Sequence, residues 1–206
     1  RHLNQRSEML SGISHDLRTP LTRMKLQLAF IKDKEISSKM SLDIDDMEQM
    51  LNEYLQFTSS SYSESDVTFD ISELITDIVQ KYKNNNISSN LQTGVVINGR
   101  KNLIERSINN LIDNSIKFAD KINIKLSNKN NSLLITIDDN GPGIPKEEYE
   151  NVFKPFYKID KSRNASKSSV GLGLSIASDI IKSHGGNILL EKSPLNGLRV
   201  KVFLPV

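Results

Sequence analysis

Four short strings hold the residues that could do chemistry. His15 is followed at once by Asp16, with Arg18, Thr19 and Pro20 close behind. An acid beside a histidine can accept a hydrogen bond from one ring nitrogen and leave the other as a nucleophile. Far downstream, Asn110, Asn114 and Lys117 recur at i, i+4 and i+7, which places them along one edge of a helix. Amide oxygens are hard ligands suited to Mg²⁺, and a lysine offsets phosphate charge. Asp139-Asn140-Gly141-Pro142-Gly143-Ile144 follows a strand of alternating apolar residues. There a carboxylate can accept a hydrogen bond from an amino group, and glycines let backbone approach a ligand closely. Gly171-Leu172-Gly173-Leu174 opens a helix, and the free N–H groups of a helix start favour phosphate. One half of the chain offers a nucleophile and the other a phosphate-donor site.

The elements that must position these strings are legible from periodicity. Leu3, Leu10, Ile13, Leu17, Leu21, Met24, Leu28 and Ile31 form a helical stripe. At roughly 100° per residue, His15 falls about 150–180° from that stripe, on the solvent face, with Thr19 one turn further on. Pro20 stands inside the same helix, where it removes a backbone hydrogen bond at a cost of about 3 kcal/mol. After a polar break at Lys32-Asp33-Lys34-Glu35 the stripe resumes with Met40, Ile44, Met47, Leu51, Tyr54 and Thr58. Two such helices make an antiparallel hairpin too small to bury its own apolar faces, so a homodimeric four-helix bundle is expected over residues 1–60.

Ser59–Ser65 reads as a serine-rich linker, and the pattern changes beyond it. A short strand at Val67–Phe69 precedes a helix from about Ile71 to Tyr82, capped by Asp70 or Ser72. A polar loop is expected at Asn84–Asn90, then a strand at Val95–Ile97 and a helix from Lys101 to Phe118. Strands follow at Ile122–Leu126 and Leu133–Ile137. A short helix is expected at Lys146–Phe153, another helix from Gly171 to His184, and strands at Asn187–Glu191 and Leu198–Leu204. That is an α/β sandwich with helices on one face of a mixed sheet, following an α-helical hairpin. The expected domains are residues 1–62 and 66–206.

Composition narrows the classes. With 27 basic and 25 acidic residues the net charge is +2, too balanced to argue for nucleic acid as the main partner. Without cysteine, thiol redox chemistry and cysteine metal sites are excluded. No run approaches the roughly 18–20 apolar residues that would span a bilayer. The chain opens at Arg1 with a helical pattern already running, so it is expected to be a piece of something longer.

Taken together, the strings resemble the class I sensor histidine kinases of two-component systems. Ser14-His15-Asp16-Leu17-Arg18-Thr19-Pro20-Leu21 resembles that family's phosphoacceptor box, and Met9–Lys25 is most similar to the osmosensing EnvZ type. Asn110–Phe118 resembles the N box, Phe153–Lys158 the F box, and the two glycine strings the remaining nucleotide motifs. The resemblance implies a bundle followed by an ATP-binding domain of the histidine kinase/Hsp90/gyrase type. It implies that His15 attacks the terminal phosphoryl group of ATP, that Asp16 is its base or orienting group, and that Thr19 positions water for dephosphorylating a partner response regulator. By the same resemblance Asn114 binds Mg²⁺, Asn110 lies in the same site, Lys117 reaches phosphate, and Phe118 packs beside the nucleotide. Asp139 would read adenine, with Gly141, Gly143 and Ile144 beside it. Gly171, Leu172, Gly173 and Leu174 would cradle phosphate, and Lys158 and Arg163 would neutralise it. Asp160–Ser169 would form a mobile lid. The resemblance also implies a membrane anchor upstream of Arg1, which would place this piece in the cytoplasm at the bacterial inner membrane.

Two other classes share these motifs. An ATP-hydrolysing conformational machine of the gyrase/Hsp90 fold would use water in place of His15. A catalytically inert dimerisation scaffold draws on one departure, since Ser169 and Val170 stand where the family has a glycine and a small hydroxyl residue.

Overall fold

The computed structural model describes residues 17–60, 64–83, 85–129, 132–159 and 171–206; at 49, 50, 52–60 and 129 it describes the backbone alone. The chain divides into two compact units, one ending at Glu64 and the other beginning at Ser65. Among the described residues no helix is long and apolar enough to cross a membrane.

The first unit is a pair of helices, α1 (described over residues 17–28, and running on through Pro20) and α2 (Lys34–Ser60). Asp33 caps α2: its Oδ1 accepts from the amides of Glu35 and Ile36 at 3.0 and 3.1 Å. Leu21, Leu28 and Ile44 are buried together, with Ile31 and Leu51 packed against them. Lys25 reaches from α1 to Asp45 and Glu48 of α2, each at 2.7 Å, which sets the pair antiparallel. The apolar stripe is only half used within the hairpin. Leu17, Met24, Met40 and Met47 remain between 41% and 48% exposed.

The second unit is built on a five-stranded sheet in the order β2-β4-β5-β7-β6, beside a two-stranded pair β1-β3. The strands are β1 (Val67–Asp70), β2 (Ile87–Leu91), β3 (Val96–Gly99), β4 (Ile122–Lys129), β5 (Ser132–Asp139), β6 (Asn187–Lys192) and β7 (Leu198–Pro205). β2 runs parallel to β4 and every other neighbouring pair is antiparallel, so the sheet is mixed as expected. Along β7 buried and half-exposed residues alternate strictly, with Leu198, Val200, Val202 and Leu204 facing the core. Three helices supply the other half of that core: α3 (Ile71–Lys81), α4 (Lys101–Phe118) and α5 (Gly173–Ser183). On α4, Leu103, Ile104, Ser107, Ile108, Leu111, Ile112 and Ser115 are buried, at spacings of one, three and four that keep a single face inward.

Three sequence expectations change. Asn84–Asn90 was expected to be a loop, yet Ile87–Leu91 is an edge strand. Its middle residues are polar and exposed, and pairing with β4, 35 positions further along the chain at Ile87↔Ile122, makes it a strand. Lys146–Phe153 holds two 3₁₀ turns, Lys146–Glu148 and Asn151–Phe153, in place of one short helix. The last helix begins at Gly173 and not at Gly171. Of the two residues offered as the cap of α3, Asp70 takes the role, accepting from the amides of Ser72 and Glu73.

Candidate nucleotide site

α4 and α5 lie antiparallel, and their unequal lengths create the site. At one end the Arg100 amide donates to His184 Nε2 at 3.1 Å, so the start of α4 meets the end of α5. Midway, Ser107 Oγ donates to the Ala177 carbonyl at 3.3 Å. At the other end a Cβ added to Gly173 would lie 3.9 Å from the Asn110 carbonyl oxygen and 4.0 Å from its Cβ. α5 has then begun, while α4 continues past it to Phe118. That overhang carries Asn114, Lys117 and Phe118, and the start of α5 at Gly173 lies toward the same end.

The Asp139–Gly143 turn forms the next wall. Asp139 ends β5 with its side chain on the helix-facing side, 4% exposed. Its Oδ1 accepts from the amides of Gly141 and Leu198, both at 2.9 Å, and its Oδ2 accepts from Ser115 Oγ at 3.3 Å. Gly141 is required by close approach, because a Cβ there would meet the Phe118 carbonyl oxygen at 2.9 Å. Gly143 takes a φ of +72° and Ile144 packs against the core. Asn140 turns the other way: its Oδ1 accepts from the amides of Asp120 and Lys121, tying this turn to the chain leaving α4.

The residues singled out from sequence are brought together unevenly. Asn110, Asn114, Lys117, Phe118, Asp139, Gly141, Gly143, Ile144, Gly173 and Leu174 all belong to the second unit, on α4, the β5 turn and the start of α5. Lys117 sits over the Phe118 ring, 5.6 Å from its centroid, and Phe118 itself is half exposed at the helix end. Lys158 is exposed beyond the second 3₁₀ turn. Gly171 has a φ of +78° and Leu172 is buried. Thr19 is exposed on α1. His15, Asp16, Arg163 and the Asp160–Ser169 stretch lie outside the described residues.

The F-box string divides between two roles. Phe153 and Tyr157 pack against the core, whereas Phe156 is exposed with a φ of +64°. Tyr157 OH donates to Glu148 Oε2 at 2.5 Å, and Asn151 Nδ2 donates to the same oxygen at 3.0 Å. The Tyr157 hydroxyl holds the Glu148 carboxyl below its ordinary range, and Glu148 in turn pushes the tyrosine up.

Ser115, Gly197 and Leu198 hold Asp139 but were not singled out from sequence. Neither were Asp138 and Arg199, which form a bidentate pair on the opposite face of the sheet, Nε to Oδ1 at 2.6 Å and Nη2 to Oδ2 at 2.9 Å. Asn196-Gly197 is a hairpin signal, yet nothing local says what that turn packs against.

One observation shows a polar group at this end of α4 that a bound ligand could complete. Asn110 Nδ2 is buried with no hydrogen-bond partner among the described residues. A buried amide of this kind costs free energy unless something completes it. The nitrogen and oxygen of such an amide are interchangeable by rotation, so it can present either a donor to phosphate or an oxygen to a hydrated cation.

Residues 99–206 match the family described as histidine kinase-, DNA gyrase B- and HSP90-like ATPase, and residues 5–62 match the His kinase A phospho-acceptor domain. The chain belongs to that ATPase family, and it joins the ATPase domain to a phospho-acceptor domain as the core of a sensor histidine kinase does. It is 30% identical over its full length to the sensor histidine kinase GtrS of Pseudomonas aeruginosa, of which it covers 43%. It is 29% identical over its full length to the sensor histidine kinase CpxA of Escherichia coli strain K12, of which it covers 48%. The chain thus spans about half the length of these relatives. Among solved structures, the ATP binding domain of PrrB from Mycobacterium tuberculosis matches with a TM-score of 0.56 at 26% identity, over 69% of this chain and 98% of that one.

Proposed function

We propose that this chain is the catalytic core of a sensor protein histidine kinase that phosphorylates His15 from ATP. The observation that carries the reading is the α4 overhang, where a buried unsatisfied amide, a lysine and a helix start converge beside the Asp139 turn. In this reading adenine's amino group donates to Asp139, and the phosphates lie against the start of α5 and Lys117, with Lys158 and Arg163 neutralising charge. Asn114, with Asn110 in the same site, would hold Mg²⁺, which when bound neutralises phosphate charge and orients the triphosphate. Asp16 orients the imidazole of His15. Its free nitrogen forms a bond to the γ-phosphorus as the bond to the β–γ bridging oxygen breaks and ADP leaves. The phosphoryl group then passes to an aspartate carboxylate of a separate response-regulator receiver domain.

Phosphatase action on that regulator belongs to the same reading, with Thr19 positioning the attacking water. Thr19, Thr22, Leu26 and Phe30 share one face of the α1 region at helical spacing, and by the same spacing His15 stands one turn before them. Leu26 and Phe30 are 66% and 86% exposed, an apolar edge suited to a partner. The half-exposed Leu17, Met24, Met40 and Met47 are assigned to a second copy, which completes a four-helix bundle. The division at residues 1–62 and 66–206, the osmosensing EnvZ likeness of Met9–Lys25, and a membrane anchor upstream of this cytoplasmic core complete the proposal.

The test is incubation with γ-labelled ATP and Mg²⁺. Acid-labile, base-stable label that His15→Ala abolishes supports the reading. ATP hydrolysis without labelled protein would favour a conformational ATPase, and the absence of both would favour an inert scaffold.

A further inference from the structure

Asp139 is held by a segment 59 positions away in sequence, and that contact is asymmetric between its two oxygens. Oδ1 receives two backbone N–H groups, from Gly141 and Leu198. Among the described residues Oδ2 receives only Ser115 Oγ, at the longer distance of 3.3 Å. A carboxylate oxygen offers about two acceptor directions. Oδ1 is therefore filled, and Oδ2 keeps one direction for a ligand. The Gly141 amide lies two residues on and would accompany any Asp-x-Gly turn. The Leu198 amide is the tertiary contribution.

The turn that supplies it is built to stay in place. The Ser193 amide donates to the Gly197 carbonyl at 2.9 Å and the Asn196 amide to the Ser193 carbonyl at 3.0 Å. Asn196 takes a φ of +75°. Ser193 Oγ donates to Asp138 Oδ1 at 3.3 Å, and Arg199 grips the same carboxylate through two nitrogens. Gly197 presses directly on the site: a Cβ there would lie 2.2 Å from Asp139 Oδ1 and 2.5 Å from the Gly141 nitrogen. No side chain fits at Gly197 without moving either the turn or the carboxylate.

We propose that the β6–β7 turn sets the base selectivity of the nucleotide site, with the Leu198 amide and Gly197 as positioning residues that leave only Asp139 Oδ2 for the base. The inference rests on the ATP reading and deepens it. An ionised carboxylate accepts and does not donate, so a fixed Oδ2 takes a base with an exocyclic amino group and opposes one with an oxo group at the same place. Releasing Oδ1 gives the carboxylate a second open oxygen and freedom to turn, which lets a bridging water satisfy an oxo base.

Leu198→Pro and Leu198→Ala form the test. Both lose the buried leucine side chain, but only proline lacks the N–H, and a proline is tolerated as the first residue of a strand. Dissociation constants for ATP and for inosine triphosphate, which carries an oxo group in place of the 6-amino group, are measured with Mg²⁺ on the whole chain. Wild type and Leu198→Ala should share one preference for ATP, and Leu198→Pro should lose about tenfold of it, the worth of a hydrogen bond to a charged group. Gly197→Ala should lose preference in the same direction. Because either variant can fail to fold, the Leu198 amide resonance of the wild-type chain gives a second readout: it should shift when Asp139→Asn is introduced and respond more to ATP than to inosine triphosphate. An unmoved resonance, or equal preference in Leu198→Ala and Leu198→Pro, overturns the role of the turn while leaving ATP binding intact. A wild-type chain that binds neither triphosphate overturns both readings.

Discussion

Asp70 shows how a single side chain is tied to both structure and pH. It ends β1 and caps α3, accepting from the Ser72 and Glu73 amides and from the Ser72 hydroxyl. The Ser72 hydroxyl chiefly holds the Asp70 carboxyl below its ordinary value, against an opposing push from partial burial. Removing the cap with Asp70→Ala should cost about 1 kcal/mol of stability near neutral pH, read by urea denaturation of the whole chain. A depressed carboxyl contributes stability above its unfolded pKa, and that contribution is lost as pH falls through the folded value. The gap between wild type and Asp70→Ala should therefore narrow on acidification. A gap that widens instead would show that the cap is not carried by the ionised form. Asn110 and Asp139 lie on the same scale: Asn110 Nδ2 is buried without a hydrogen-bond partner among the described residues and Asp139 is 4% exposed, and in the proposed ATP reading both complete their bonding with the nucleotide.

At the scale of elements, the pairing of β5 with β7 carries the site. Asp138 and Asp139 are neighbours on opposite faces of one strand, and β7 contacts both, through Arg199 on one face and the Leu198 amide on the other. Asp138 is 1% exposed, whereas the Arg199 side chain keeps 24% of its surface in water. Asp138 holds the Arg199 guanidinium above its ordinary value. Arg199→Met would leave a buried carboxylate without its cation, and should cost about 3 kcal/mol, the low end for such pairs because the arginine is partly hydrated. The double variant Asp138→Leu with Arg199→Met should recover much of that loss in the same denaturation experiment. If the single and double variants lose equally, packing and not the charge pair joins these strands. The α4–α5 pair works by length: Arg100 and Ser183 clamp one end, with Arg100 Nη2 to Ser183 Oγ at 2.6 Å, and the surplus turns of α4 beyond Asn110 carry the proposed nucleotide site.

For the whole molecule, the apolar stripe left uncovered on the helical hairpin points to a second copy. Leu17, Met24, Met40 and Met47 belong to the same stripe as the buried Leu21, Leu28 and Ile44, yet a single hairpin leaves them near half exposure. A second copy would bury them at about 25 cal/mol per Å² of apolar surface. Met24→Glu with Met47→Glu should convert the dimer to a monomer in sedimentation experiments. Nucleotide binding, which rests on residues of the second unit, should persist in that monomer. A dimer unchanged by both charges would place the interface elsewhere.

Much of this protein was determined by sequence alone. The helical hairpin, the mixed sheet with helices on one face, and most of the residues on the α4 overhang follow from periods of 3.6 and 2 and from short motifs, because those signals are local. Asp70's cap and the Asp139–Gly143 turn are local too. The edge strand Ile87–Leu91 was not legible, since its polar middle gains strand character only from pairing with β4. The two 3₁₀ turns at Lys146–Phe153 likewise differ from the short helix their residues suggest. Above all, tertiary structure decided what surrounds Asp139. Ser115, Gly197 and Leu198 reach it from 24 to 59 positions away, and contacts across such distances depend on how strands and helices pack, which no window of neighbouring residues encodes.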